Sequence, residues 1–492
     1  PSSSKAPYVL PVADGVTIGS ILTVGDTADG GYRMAGIPDG LGAFRADGRT
    51  FGLLANHELR NTDGIVRAHG QKGAFVSAWS IDRRTLRVRA GSDLIQPGVQ
   101  FWNPVTQGYG TSPLAAATAS PRDVTDTFGV DSAAFSRFCS GSLTEPGQLL
   151  SRRSGRGYGG QLWFANEENG DAGRLFGVTD DGTAQELPRL GRFSFENTLL
   201  ADTRSNTTLV AGLEDGPADA SQLSIYVGRK TRTGSPFRRA GLTNGTRYVI
   251  DADNPAVTGD VSFRSAYAKG TPVPVNLNEV DWDQSGARQN AEAKADGLSL
   301  NRIEDGAWDP RHPNDLWFVT TAGGKGASGN HDGGGLWKLS FEDIDEPELG
   351  ATLTLVLDGS ETPQGADGLW KPDNLAIADG NVLLQEDTGN DPHLGRILAY
   401  SIRRDRLGVI ATFDPARFTP GAPAFITQDE ESSGIIDAED VLGDGWFLLD
   451  AQVHAPTGVA ETVEDGQLLA MGIRDWRAVY GGEGWLLPCG LL

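Results

Sequence analysis

Residues 162–169 read LWFANEEN, an apolar strand-like run that stops at an amide and a cluster of acids. The pattern returns at 52–58 (GLLANHE), 191–197 (GRFSFEN), 209–215 (LVAGLED), 300–305 (LNRIED) and 382–387 (VLLQED). One acidic strand end is ordinary and reads as a solvated turn. Recurrence along one chain predicts that repeated strands deliver their acids to a common place. Carboxylates gathered in a poorly hydrated site repel one another, and a cluster of metal ions is the simplest countercharge.

The rest of the chain supplies the architecture for such a delivery. Glycine is frequent, 66 of 492 residues, and Asp, Asn and Pro punctuate the chain densely. This is the composition of many short strands joined by turns. The recurring unit is strand, turn, strand, too irregularly spaced for a strict repeat. About six four-stranded units fit the length, so the expected fold is all-β, a β-propeller with inserted loops and few short helices. A pair of β-sandwiches gives no reason for acids to recur at strand ends, whereas inner propeller strands bring them to one channel mouth. The expected organisation is a single propeller domain over 1–492, with a polar insertion at about 228–301 that reads as a subdomain or cap. Helix is expected at 287–297 (ARQNAEAKADG), with a turn or two at 131–138 and 473–480.

The formal net charge of −23 argues against nucleic acid or an anionic membrane as partner. It suits an exported, cation-loaded protein. No apolar run is long enough for a membrane span, and the chain opens on Pro1, Ser2, Ser3, as a trimmed secreted or periplasmic protein would. The cysteines are Cys139 and Cys489. A disulfide between them is open to an oxidising compartment, but Cys489 is a poor anchor so near the C-terminus, and a free or metal-bound Cys139 is preferred. There is no GxSxG elbow, no HExxH and no CxxC. The loop beginning at Asp251 has Ser262 where an EF-hand needs its last acid, and the glycines at 323–326 lack the rest of a P-loop.

The acids Glu58, Glu168, Glu196, Glu214, Asp215, Glu304, Asp305, Glu386 and Asp387 are hard oxygen donors suited to calcium or high-valent iron. Asn374 is one of several neutral carbonyl donors beside them. Cys139, taken alone, is either a buried small hydrophobe or a ligand. Arg302 and Glu304 lie two residues apart on one strand and so point the same way. That is either a simple ion pair, or a phosphoryl clamp beside a metal ligand.

At these residues the chain resembles the secreted alkaline phosphatases of the PhoX family, as a divergent branch. The resemblance rests on Pro38-Asp39-Gly40, then 52–58, Cys139, 166–169 (NEEN), 191–196 (GRFSFE), 302–305 (RIED), Pro372-Asp373-Asn374-Leu375 and 385–387 (QED), in the family's order. It implies a β-propeller with iron and calcium at its channel mouth, hydrolysing phosphate monoesters, with some relatives acting on phosphodiesters or phytate. Carried over by position, Cys139, Glu58, Glu196 and Glu304 would hold iron, and Arg302 would bind the phosphoryl group. Calcium ligands would come from Glu168, Glu214, Asp215, Asp305, Asn374, Glu386 and Asp387. The chain departs from the family at Phe195, where His is frequent, and at Ile303, where Pro is frequent.

The expected function is therefore a metal-dependent phosphoester hydrolase of alkaline phosphatase type, in which Arg302 and Glu304 are the catalytic pair. It would act on small phosphorylated substrates as a monomer. The rival readings are a calcium-dependent propeller lactonase or esterase, without iron, and a non-catalytic calcium-stabilised binding propeller.

Overall fold

The computed structural model describes residues 2–322, 333–361, 368–391 and 393–480. Cys489 and the glycine turn at 323–326 lie outside them. The strands form a six-bladed β-propeller. Blade 1 is Pro38–Arg45, Thr50–His57, Phe75–Asp82 and Val88–Asp93, and blade 2 is Phe138–Leu143, Leu162–Glu167, Leu175–Thr179 and Ala184–Glu186. Blade 3 runs Phe195–Leu200, Thr207–Glu214, Ser224–Arg229 and Thr246–Ala252, and blade 4 runs Ile303–Trp308, Asp315–Thr320, Gly335–Phe341 and Ala351–Asp358. Blade 5 is Pro372–Ala378, Asn381–Glu386, Arg396–Ser401 and Arg406–Phe413, with Val9–Pro11 added outside. Blade 6 is Glu430–Asp437, Trp446–Pro456 and Glu464–Ile473, closed by Val16–Thr23 from the other end of the chain. The first strand of each blade touches the first strand of the next, and the contact between blades 6 and 1 completes the ring.

The apolar runs are uninterrupted because each middle strand is buried on both faces. In blade 1, Leu53 and Ala55 pack toward blade 6, while Leu54 between them packs toward blade 2. In blade 2, Trp163 and Ala165 face blade 1 and Phe164 faces blade 3. The main core is accordingly divided into clusters, one per interface between neighbouring blades. Each fully buried large side chain contributes roughly 1.5–3 kcal/mol, so blade-to-blade packing holds the ring.

Residues 228–301 contain the strands Thr246–Ala252 and Val273–Val280 and the helices Pro236–Arg239, Asp260–Ala266 and Gly286–Asp296. Val273–Val280 pairs with both Thr246–Ala252 and the outer strand of blade 4, which joins blades 3 and 4 into one nine-stranded sheet. Gly286–Asp296 is the helix expected at 287–297, and Ser285 caps it by accepting from Arg288 N–H. The expected turn at 473–480 forms as Trp476–Tyr480. The one expected at 131–138 does not form. There Phe135 is drawn into the interface of blades 1 and 2, its ring 4.8 Å from Phe138 and 4.9 Å from Phe176, and its carbonyl accepts from Ala74 N–H at 3.1 Å. Burial of one aromatic ring outweighs a single helical turn.

Candidate metal centre

All six inner strands begin at the same mouth of the channel, and the second residue of each is a candidate donor: Asp39, Cys139, Glu196, Glu304, Asp373 and Glu431. In blades 1 to 5 the first residue is paired (Pro38 with His57, Phe138 with Glu167, Phe195 with Glu214, Ile303 with Thr320, Pro372 with Glu386). The register then breaks, and pairing resumes at Leu41, Gly141, Thr198, Gly306 and Leu375. A bulge frees its residues from the ladder and re-aims their side chains. In blades 1, 2, 4 and 5 the residue just before the strand is left-handed: Ile37 (φ 50°), Arg137 (49°), Arg302 (53°) and Lys371 (40°). Such a conformation costs a non-glycine residue about 1 kcal/mol or more. Here it turns the chain so that the donor two residues on faces the mouth.

A second ring surrounds the first. The residue after each second strand's last mouth-end pair is Glu58, Glu168, Asp215, Thr321, Asp387 or His454. The backbone N–H groups of Glu58, Glu168, Thr321 and Asp387 donate to the carbonyls of Ile37, Arg137, Arg302 and Lys371, the same left-handed residues. Strand neighbours face opposite ways, so the residues just before these turn into the blades. His57 stacks on Phe75 and meets Ser77 Oγ at 2.9 Å. Glu167 accepts from Arg174 at 2.6 and 2.9 Å. Glu214 accepts from Gln222 N–H at 2.8 Å, and Glu386 is paired with Arg396 at 2.6 and 2.9 Å.

The donors form overlapping groups whose ligand atoms lie within 4.8 Å of one another: Asp39, Glu58 and Cys139; Cys139, Glu168 and Glu196; Glu196, Glu304 and Asp373. Two guanidinium groups sit among them. Arg137 donates to Glu58 at 2.8 Å and bridges to Glu168, and Arg302 grips Asp215 in a fork at 2.9 and 3.0 Å while lying 3.1 Å from Glu304. The acids still outnumber them. Burial, then the repulsion of nearby carboxylates, pushes Glu168, Glu196, Glu304, Asp373 and Glu431 well above the ordinary range, and Asp39 up to about 7. Burial and the same carboxylates raise the Cys139 thiol. Free of cations, the cluster relieves its repulsion by holding protons; multivalent cations relieve it with the acids ionised. The donor chemistry, a thiol among carboxylates held close together and short of positive charge, fits a metal cluster.

Stability should follow from this. Asp39, Glu214 and Glu430, each pushed up to about 7 chiefly by burial, hold protons when folded that they have lost when unfolded, where carboxyls titrate near 4. Stability from these groups therefore grows as pH falls from above 7 toward 4. Metal-stripped protein is expected to melt higher at about pH 6 than at about pH 9, with a flatter dependence once metal is restored. Differential scanning fluorimetry across that range checks it; a stripped protein that melts higher at the alkaline end contradicts it.

Of the residues singled out from sequence, Glu58, Cys139, Glu168, Glu196 and Glu304 are brought together in the overlapping groups. Asp215 and Asp387 stand on the second ring. Glu214 and Glu386 face into their blades. Asp305 and Asn374 are third residues of inner strands and tie those strands together beneath the acids. Asp305 accepts from Asn197 and from Gly306 N–H, both at 2.6 Å. Asn374 donates to Ser140 Oγ at 2.7 Å and accepts from Ser433 and Gly434. Arg302 meets Glu304 as expected, but through the left-handed entry and bulge, since the strand itself starts at Ile303. Sequence reading passed over Asp39, Asp373, Glu431, Arg137 and His454. For Asp39 and Asp373 a signal was there: Pro38-Asp39-Gly40, Phe138-Cys139-Ser140, Phe195-Glu196-Asn197, Ile303-Glu304-Asp305 and Pro372-Asp373-Asn374 align as apolar residue, donor, then Gly or a polar residue. Beyond the tied layer the channel opens at its far end into a cavity of about 280 Å³, lined by Gly42, Leu199, Trp308 and Ile377 among others and by none of the second-position donors.

Residues 183–417 match the family described as Alkaline phosphatase PhoX. No curated protein matches the chain. Among solved structures, Pseudomonas fluorescens PhoX in complex with vanadate, a transition state analogue, aligns with a TM-score of 0.64 at 13% identity, over 96% of this chain and 97% of that one. The GH93 alpha-L-arabinofuranosidase of Fusarium graminearum with arabinobiose aligns with a TM-score of 0.39 at 8% identity, over 94% and 97%. Residues 183–417 thus match the alkaline phosphatase PhoX family of metal-dependent phosphoric ester hydrolases, and the whole chain has the fold of the PhoX structure.

Proposed function

We propose that this protein hydrolyses phosphate monoesters at the propeller mouth with a cluster of iron and calcium, as an exported monomer. The observation that carries this reading is the convergence of the Cys139 thiol with carboxylates from separate blades beside an accessible arginine. A thiolate favours iron, and an all-oxygen set suits calcium. Iron therefore goes to the side of Cys139 with Asp39, Glu58, Glu168 and Glu196, and calcium to the side of Glu196, Glu304 and Asp373, with Asp215, Asp387 and Glu431 around it. Bound there, such cations neutralise phosphoryl oxygens and acidify water.

The chain's own contribution is orientation. Asp215 fixes the Arg302 guanidinium by two hydrogen bonds, and the side chain keeps 37% of its surface exposed to the mouth. A planar fork held in this way matches two oxygens of a phosphoryl group. It stabilises the charge that grows on them in the transition state. Glu304, 3.1 Å from the same guanidinium, would hold a cation beside the arginine that takes the phosphoryl oxygens. The vanadate bound to the Pseudomonas fluorescens protein is an oxyanion of the same kind. The net charge of −23 favours small substrates over nucleic acid.

Hydrolysis of para-nitrophenyl phosphate with and without a chelator tests the reading, with elemental analysis of the same sample. Stripping is expected to cost on the order of 10³-fold in rate, and iron with calcium to restore it. Undiminished turnover by metal-free protein rules the mechanism out.

A further inference from the structure

Side chains on the second strand of blade 6, Trp446–Pro456, alternate, so Asp450, Gln452 and His454 share the face turned to the channel. Gln452 identifies that face, because its Nε2 donates to Asp39 at 3.0 Å and lies 3.5 Å from Glu58. Two residues nearer the mouth, His454 takes the second-ring position that Glu58, Glu168, Asp215 and Asp387 take in other blades. Its backbone N–H donates to Asp429 O at 3.1 Å, just as those of Glu58 and Glu168 bond the residue before their inner strands. His454 is the one imidazole in that ring.

A carboxylate outside the cluster holds it. Nδ1 lies 2.8 Å from Glu464 Oε2, on the adjacent strand Glu464–Ile473. Nδ1 carries the proton in that contact, which leaves Nε2 for other work. Nε2 has no hydrogen-bond partner among the described residues, and the side chain is 31% exposed at the mouth. A carboxylate that orients one ring nitrogen while the other faces the substrate space is the arrangement of a proton-transferring histidine.

We propose that His454, held by Glu464, is the general acid that protonates the departing oxygen of the substrate; this rests on the phosphoester hydrolase reading above. Water oxygen bonds to phosphorus as the bond from phosphorus to the ester oxygen breaks. The ester oxygen leaves with the electron pair and takes the Nε2 proton, giving the alcohol. The proton released by the attacking water returns through solvent to neutral His454, so the sum is ester plus water to alcohol plus phosphate.

The charged groups that act on the ring are Glu464, in contact from the next strand, and at longer range Asp429 from the entry to blade 6, Glu58 from blade 1 and Asp387 from blade 5. Burial works against its charge, and the Glu464 hydrogen bond with the surrounding carboxylates more than offsets that, so its pKa lies above the ordinary histidine value. The ring thus keeps its proton to higher pH than a free histidine would.

The test compares an ester with a weakly basic leaving group, para-nitrophenyl phosphate, against one with a strongly basic leaving group, glycerol phosphate. His454→Ala is expected to lose about 10²–10³-fold in kcat on glycerol phosphate and at least ~10-fold less than that on the nitrophenyl ester. Glu464→Gln removes the charge that supports the imidazolium, so the alkaline limb of the glycerol phosphate profile should move to lower pH. Equal losses on the two esters, no loss on glycerol phosphate, or an unmoved limb in Glu464→Gln overturns the assignment. If His454→Ala does not fold, the limb in Glu464→Gln decides alone. A wild-type enzyme inert toward both esters overturns the parent reading, and this assignment with it.

Discussion

Glu196→Gln is expected to lower turnover of an aryl phosphate by at least about 10³-fold and, on the proposed assignment, to reduce iron and calcium content together. Glu196 belongs both to the group that contains Cys139 and to the all-oxygen group with Glu304 and Asp373. The amide keeps the shape of a side chain that is 2% exposed and removes only its charge. Both halves of the cluster thereby lose a donor at once, whereas a change at Asp39 or Asp373 touches one half. Metal analysis alongside kcat reads the result directly. Full metal content with a loss below about tenfold would show that Glu196 does not join the two halves.

Glu386→Ala is expected to behave in the opposite way, costing about 3–5 kcal/mol of stability and leaving metal content unchanged. Glu386 is fully buried and holds Arg396 through hydrogen bonds at 2.6 and 2.9 Å, with the His393 ring at 3.6 Å. Its loss takes the Glu386 carboxylate away from the Arg396 guanidinium, whose side chain is only 10% exposed. Removing one partner of a buried ion pair costs far more than the intact pair contributes. Denaturant melts and metal analysis on the same variant separate the outcomes. Loss of metal with unchanged stability would return Glu386 to the ligand set.

These two glutamates are hard to tell apart on paper, since each ends an apolar run and each is followed by an amide or an acid. Their difference is one of position. Glu196 is the second residue of an inner strand, inside a bulge. Glu386 is the last paired residue of a second strand, one step before the mouth. The alternation of a strand then sends Glu386 into the blade and its neighbour Asp387 to the rim. The same step separates Glu214 from Asp215. A run of letters such as QED or LED shows that acids are present but does not show which of them precedes the turn.

Cys139, Glu58, Glu168 and Glu304 were legible because they stand beside unmistakable apolar runs or within motifs that recur in order. Asp39 and Asp373 were quoted within those motifs yet passed over, because a Pro-Asp pair reads first as a turn. Arg137 and His454 had no sequence signal of comparable weight. Their places depend on a left-handed backbone residue and on a strand pairing across blade 6, and neither is visible before the chain closes.

What the sequence alone determined is the all-β propeller and the recurrence of acids at its strand ends; Cys139 and Arg302 joined them only through the family resemblance. The propeller and its acids follow from local facts: apolar runs that suit strands buried on both sides, turn residues between them, and acids at their ends. What only the tertiary structure decided is which acids meet. Asp39, Cys139, Glu196, Glu304, Asp373 and Glu431 come from six strands spread over nearly four hundred residues. They converge because every inner strand enters the channel at the same end and, in blades 1 to 5, bulges after its first pair. Ring closure around a common axis is a non-local condition, and no spacing along the chain encodes it.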